Sequence, residues 1–123
     1  MAPLARLKRR AEFLKVAGKG RRWTTPGFIL QALIGTSDGD AVPRVGFTAS
    51  RKVGIAVVRN RARRRLKEVA RRVIGPHAAP GDYVMVARDA TATREFSALL
   101  ADVETALKRL GAWRPSTPDG GAE

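Results

Sequence analysis

Between Ile55 and Ile74 the chain carries one helical stripe of apolar residues, and almost nothing but arginine around the rest of the helix. At about 100° per residue, Val58, Ala62, Leu66, Val69, Ala70 and Val73 fall within about 120° of arc. Arg61, Arg63, Arg64, Arg65, Lys67, Arg71 and Arg72 fill the remainder, from about 140° to 340°. Arg59 lies near the edge of the apolar arc at the helix start, and Glu68 is the one acid. Such a segment has a single way to fold: the stripe packs on a sheet or another helix, and the cationic arc faces outward. Like charges at i,i+4 cost a few tenths of a kcal/mol per pair, a cost that phosphates remove in a bound state. Of the eight basic residues from Arg59 to Arg72, seven are arginine. The planar guanidinium fork binds phosphate bidentately and stacks on bases, which lysine cannot do.

The rest of the charge follows the same plan. The 123-residue chain has a net charge of +13. Residues 1–72 hold 19 basic and 4 acidic side chains, hence +15, whereas residues 73–123 hold 5 and 7, hence −2. Basic residues concentrate in 1–22 and 51–72, which describes a surface built for a polyanion rather than a uniformly basic protein. With no cysteine, disulfide scaffolds and thiolate metal sites are excluded. Basic residues interrupt the first 22 positions, so no secretory signal is expected, and no apolar run reaches the roughly 18 residues of a membrane helix. A cytoplasmic location with no membrane partner and no small-molecule substrate is the expectation.

Read along the chain, residues 1–5 are expected to be a flexible start and Arg6–Val16 a short helix ended by Gly18 and Gly20. Trp23 to Gly27 reads as a connector. Phe28–Ile34 and Arg44–Ser50 read as strands, the second with strict period two. Gly35-Thr36-Ser37-Asp38-Gly39-Asp40 between them has hairpin-turn chemistry. Lys52-Val53-Gly54 is a short extended piece or turn. The long helix should stop at Gly75-Pro76. A strand at Asp82–Arg88 and an amphipathic helix at Thr93–Leu110 complete one α+β domain over residues 6–112, and residues 113–123 read as a disordered tail.

The segment Ser50-Arg51-Lys52-Val53-Gly54-Ile55-Ala56-Val57-Val58-Arg59-Asn60-Arg61-Ala62-Arg63-Arg64-Arg65-Leu66-Lys67 closely resembles the signature S-K-K-[IV]-G-x-A-V-x-R-N-R-x-K-R of the bacterial ribonuclease P protein subunit. An isolated Arg-Asn-Arg would carry no weight, whereas a match of roughly 18 residues does. Arg6-Leu7-Lys8 with Phe13, Val16 and Gly20, then Arg44-Val45-Gly46, then Asp82-Tyr83 with Ala87-Arg88 agree with the family in the right order. The resemblance spans about residues 6–112.

It implies an α-β-β-β-α-β-α order, reached if Lys52-Val53 closes a third strand. It also implies a left-handed βαβ crossover and a fold shared with a ribosomal-protein domain. By the same resemblance, a holoenzyme removes the 5′ leader of precursor tRNA, and the catalytic groups and the required Mg²⁺ belong to its RNA subunit. No catalytic residue is expected in this chain, and the sequence does not decide whether the chain itself ligates a metal. The surface for the RNA subunit would comprise Lys52, Arg59, Asn60, Arg61, Arg63, Arg64 and Lys67. The cleft for the single-stranded leader would comprise Phe13, Ile29, Gln31, Thr48, Arg51 and Val58. Strand parity agrees in part, since Ile29 and Gln31 share one face. Three positions depart from the pattern: Ala17 and Gln31 replace common aromatics, removing about 1–3 kcal/mol of stacking per base, and Arg65 replaces a usually apolar residue, extending the basic arc.

Other signals favour plain readings. His77 has no second imidazole or carboxylate partner in its Gly/Pro loop, so it reads as incidental. Asp38 and Asp40 lack the further oxygens of a calcium loop and read as a turn. Ser50 has no relay to activate it, and no carboxylate cluster is dense enough for two-metal phosphodiester chemistry. Trp113 reads as a cap on a core edge and Phe13 as both core and contact. Two rivals remain on residues alone: a ribosomal or ribosome-assembly protein, and a sequence-tolerant DNA-binding protein.

Overall fold

The computed structural model describes residues 4–35 and 42–114. A sheet of five strands has the order β1-β4-β5-β3-β2, with β1 Ala5–Arg6, β2 Arg21–Thr24, β3 Phe28–Ile34, β4 Arg44–Thr48 and β5 Gly81–Ala87. Helix α1 (Arg10–Lys19) lies on one face. Helix α2 (Ala56–Val69) and helix α4 (Phe96–Arg109) cover the other, and the single turn α3 (Gly75–His77) sits between them in sequence. No helix among the described residues is long and apolar enough to cross a membrane.

Burial follows strand parity. In β3, Phe28, Leu30 and Ala32 are buried while Ile29, Gln31 and Leu33 are only half-buried. The buried set, with Val45, Tyr83 and Met85, packs against Ala62, Leu66 and Val69 of α2 and Leu99, Val103 and Leu107 of α4. Central β5 pairs in parallel with β4 and antiparallel with β3. Covered on both faces, it is buried at nearly every residue. A smaller cluster of Leu7, Val16 and Val84, with Phe13, Leu33 and Val86, holds α1 on the opposite face.

Several expectations are corrected. The first helix is displaced: Ala5–Arg6 form a strand beside β4, through Ala5 N–H to Pro43 C=O at 3.0 Å and Leu7 N–H to Val45 C=O at 3.0 Å. The cause is Glu12, whose carboxylate accepts the N–H groups of Lys8 and Arg9 at 3.1 and 3.0 Å and so starts the helix at Arg10. Gly18 stays helical, and the chain leaves at Gly20, where a Cβ would lie 2.5 Å from the Ala32 carbonyl oxygen. The third strand is Arg21–Thr24, expected as a connector in part; Lys52-Val53 instead belong to a 3-10 turn, Arg51–Val53. From α1 onward the strand and long-helix order is thus the expected one, for a reason the residues did not suggest, and β1 is an added strand before it.

The turn expected after Ile34 does not close a hairpin, because β5 lies between β3 and β4; Asp38 and Asp40 lie outside the described residues. Nor does Gly75-Pro76 stop the long helix. The helix widens into a π turn at Ala70–Ile74 and continues through His77. Proline lacks an N–H and crowds the carbonyl four residues back, and a π turn opens the backbone just before it. The last helix begins at Phe96, after a 3-10 turn at Asp89–Ala92. Trp113, placed in the tail, is anchored: it bridges to Ala78 and stacks on His77 at 4.3 Å and 9°. His77 is therefore a packing partner.

Two ion-pair systems lock the layers. Arg44 donates from Nε and Nη2 to Asp82 at 2.9 and 2.8 Å, and from Nη1 to Glu12 at 2.7 Å, joining β4, β5 and α1. Arg94 donates to Asp102 at 2.7 and 3.1 Å, bracing the start of α4. The Arg9 and Lys8 amides and then the Arg44 guanidinium lower the Glu12 carboxyl from 4.5 to about 2. A depressed folded pKa contributes stability above the unfolded value, and this is lost as pH falls through about 2. Glu12→Gln is therefore expected to be less stable than the parent at pH 7, with the gap closing between about pH 5 and pH 2. Urea midpoints across that range check it, and a pH-independent gap would mean the carboxylate charge contributes nothing.

Candidate nucleic-acid interface

Helix α2 starts where Gly54, at φ +148, turns the chain with the Val58 side chain packed against it. Its N-cap, Ile55, supplies no side-chain hydrogen bond. No N-cap side chain covers the first-turn amides, the positive end of the helix dipole, and the 3-10 turn that leads into them carries Arg51 and Lys52. Ile55 and Val57 are each 72% exposed at this end, an apolar exposure the sequence reading did not anticipate.

The arginine arc divides in the folded protein. Arg65 turns inward, donating to Thr91 C=O at 3.0 Å and to Arg94 C=O. Burial and the neighbouring Arg61 charge push its guanidinium pKa down. It fixes the turn before α4 rather than extending the outward basic surface, a correction to the sequence reading. Arg71 and Arg72 both pair with Glu68, and their hydrogen bonds lower its carboxyl to about 2. Arg72 also sits 5.1 Å from the Phe96 ring centroid. Arg61 is held by one nitrogen, Nε to Ala92 C=O at 2.9 Å, which leaves its terminal fork to solvent. Asn60 Oδ1 accepts from Arg63 at 2.6 Å. Arg59, Arg64 and Lys67 form no ion pair among the described residues, and neither do Arg51 and Lys52. A shallow groove of about 400 Å³ runs between Arg61, Arg64, Arg65, Glu68 and Phe96.

A second surface lies on the α1 face of the sheet. Register aligns Thr24, Ile29, Val86 and Thr48 in one row across four strands, and Arg22, Gln31, Val84 and Gly46 in the next. The Phe13 ring lies directly over Gly46, where a Cβ would be 2.3 Å from its Cζ. A side chain at Gly46 would force that ring to move. Beside it, a groove of about 330 Å³ is lined by Lys8, Arg10, Phe13, Phe47 and Thr48. The Thr24–Thr48 row stays half-buried to exposed, a shallow floor between helix and strand edge.

Of the residues expected in a leader cleft, Phe13, Ile29, Gln31 and Thr48 share this face. Val58 does not: it packs with the core on the opposite face. Arg51 stands in the turn at the end of β4, between the two surfaces. The sequence reading passed over Val86, Thr24, Lys8 and Arg10. Strand parity could have found Val86, but Thr24 was hidden once its strand was read as a connector.

A five-stranded sheet with α1 and a basic-rimmed open row on one face, and an arginine-rich helix on the other, defines a small basic α+β domain. A family model described as Ribonuclease P matches residues 1–111. The ribonuclease P protein component of Paramagnetospirillum magneticum is 53% identical over 114 residues, covering 90% of this chain and 86% of that protein. The one from Gluconacetobacter diazotrophicus is 51% identical over 107 residues, covering 86% and 90%. Among solved structures, the Staphylococcus aureus RNase P protein superposes with TM-score 0.73 at 23% identity, covering 89% of this chain and 97% of that one. The Thermotoga maritima protein superposes with TM-score 0.68 at 25% identity, covering 85% and 94%. The chain belongs to the bacterial ribonuclease P protein family.

Proposed function

We propose that this chain serves in the cytoplasm as the protein subunit of a ribonuclease P whose catalytic RNA cleaves the 5′ leader from precursor tRNA. The outward fork of α2, with Lys52, Arg59, Asn60, Arg61, Arg63, Arg64 and Lys67, docks on the RNA subunit. The α1 face of the sheet, with Phe13, Ile29, Gln31 and Thr48, carries the leader, and Arg51 stands between the two. The observation that carries this reading is the open row from Thr24 to Thr48 on the face where the Phe13 ring meets Gly46, with β4 then running through the Arg51–Val53 turn into α2. Single strands are held by shallow stacking floors with basic rims.

By the same reading, the required Mg²⁺ belongs to the RNA partner, and no ligand for it is assigned in this chain. The described residues contain no group of three or more acids or histidines able to hold an ion. Glu12, Asp82, Asp102, Glu68 and Glu104 each pair with a cation. No catalytic step is assigned to this chain.

The test is reconstitution with a bacterial ribonuclease P RNA and precursor tRNA at low magnesium. The protein should enhance 5′ cleavage and favour leader-bearing over mature tRNA; absence of both effects overturns the reading. Gln31→Tyr restores a ring to the floor and is expected to tighten leader-bearing substrate roughly 5-fold or more, leaving mature tRNA unchanged. Equal effects on both ligands would place Gln31 outside the leader path.

A further inference from the structure

We propose that the outer edge of the sheet, β2 with the C-terminal end of α4, is a second RNA-binding element that holds the leader where it leaves the sheet face. The inference rests on the leader reading above and extends its path.

The path is set by register. Thr24 lies opposite Ile29 and Arg22 opposite Gln31, so both rows of the leader face run on into β2. From β4 to β2 is three strand spacings, about 14 Å. A strand crossing the floor from Thr48 therefore arrives at Thr24 and Arg22. All four residues of β2 are exposed, and its outer side pairs with no strand among the described residues.

Trp23 and Arg21 alternate with Arg22 and Thr24 and so face the α4 side; a strand that turns around this exposed edge meets a cationic and aromatic surface. Trp23 is 38% exposed, with the Arg109 guanidinium 5.6 Å from its ring centroid. Arg21 reaches the end of α4, its Nη1 lying 3.4 Å from Leu110 C=O. Lys19, Arg22 and Arg109 form no ion pair among the described residues. This contrasts with Arg44 and Arg94, each committed to a buried aspartate. An exposed edge strand bearing a tryptophan also invites pairing with a second copy. Here that pairing would bring two Arg21-Arg22 pairs together, so charge disfavours it. A phosphodiester strand meets both needs: its phosphates neutralise the unpaired cations, and a base stacks on the indole face that Arg109 flanks.

The consequence is a dependence on leader length. A leader ending within the floor touches Phe13 and Thr48 but never β2, whereas a longer one reaches Trp23. The experiment measures binding of precursor tRNAs with graded leaders to the reconstituted holoenzyme. The proteins compared are the parent, Arg22→Gln/Trp23→Ala, Trp23→Phe and Phe13→Ala. The double variant is expected to lose roughly tenfold in affinity for the longest leader and nothing for the shortest. Trp23→Phe, which keeps a ring, should retain most of the affinity. Phe13→Ala should weaken leaders of every length.

An equal loss for all leaders and mature tRNA, or no loss from a double variant that melts like the parent, overturns the inference. A flat response to Phe13→Ala with an intact length effect at β2 would instead bring down the cleft alone. Sedimentation supplies the remaining arm: a dimer that Trp23→Ala dissociates would assign the edge to a second copy and overturn an RNA role.

Discussion

Alanine at Arg59 and Arg61 together is expected to weaken binding to the catalytic RNA by roughly 100-fold, from about 1.5 kcal/mol for each lost charge-assisted contact. The salt dependence should flatten at the same time. Each phosphate contact contributes about 0.7–0.9 to the log–log slope, so removing two should lower it by about 1.4–1.8. The discriminating control is Arg65→Ala, four residues beyond Arg61. Arg65 spends its guanidinium on Thr91 C=O and Arg94 C=O. Its loss should cost about 1–2 kcal/mol of folding stability by stranding those carbonyls, with little change in salt slope. Titrations of the RNA subunit at several salt concentrations, beside urea unfolding of each variant, separate the two roles. A flattened slope for Arg65→Ala, or an unchanged one for the double variant, would redraw the interface.

Arg44→Ala should be the most destabilising single change outside the apolar core. Asp82 is 4% exposed, and Arg44 meets its carboxylate through two hydrogen bonds. Deleting one partner of a buried pair costs about 3–5 kcal/mol, because the other charge stays desolvated. Arg44 is itself partly exposed, so water can reach the orphaned Asp82, and about 2–3 kcal/mol is expected. The same change removes the Glu12 link and loosens α1 from β4, so leader-bearing substrate should bind more weakly as well. Urea unfolding and leader-dependent binding check the two halves. A loss below about 0.5 kcal/mol would show that this pair behaves as a surface salt bridge.

Legibility followed the range of the interaction that decides each feature. β3 was readable to the residue, and β5 to within one, because a strand between two layers shows its burial in its own side chains. The core stripe of α2 was readable for the same reason: Ala62, Leu66, Val69 and Ala70 are all buried. β1 and β2 were not readable. β1 extends only because of a partner far along the chain, Val45, whereas β2 forms a hairpin with the adjoining β3 across Thr25-Pro26-Gly27 and, exposed at all four residues, shows no burial pattern of its own. The π turn at Ala70–Ile74 was equally hidden, since nothing in Gly75-Pro76 announces that the helix will widen rather than stop. The proposed leader face was half legible: the family resemblance supplied Ile29 and Gln31 and parity put both on one face, whereas Val86 and Thr24 needed the register.

The sequence by itself determined that a single α+β domain carries a two-block cationic surface, and that its longest helix must pack on one stripe and present arginine elsewhere. Helical and strand periods are local, and charge is additive, so both survive being read one residue at a time. Only the tertiary structure decided which arginines remain available. Arg61 and Arg65 lie one turn apart on the same helix, yet one keeps a free fork and the other is consumed by carbonyls 26 and 29 residues away. A guanidinium's role depends on what acceptors the fold brings within 3 Å, and that distance is not written in the order of the residues.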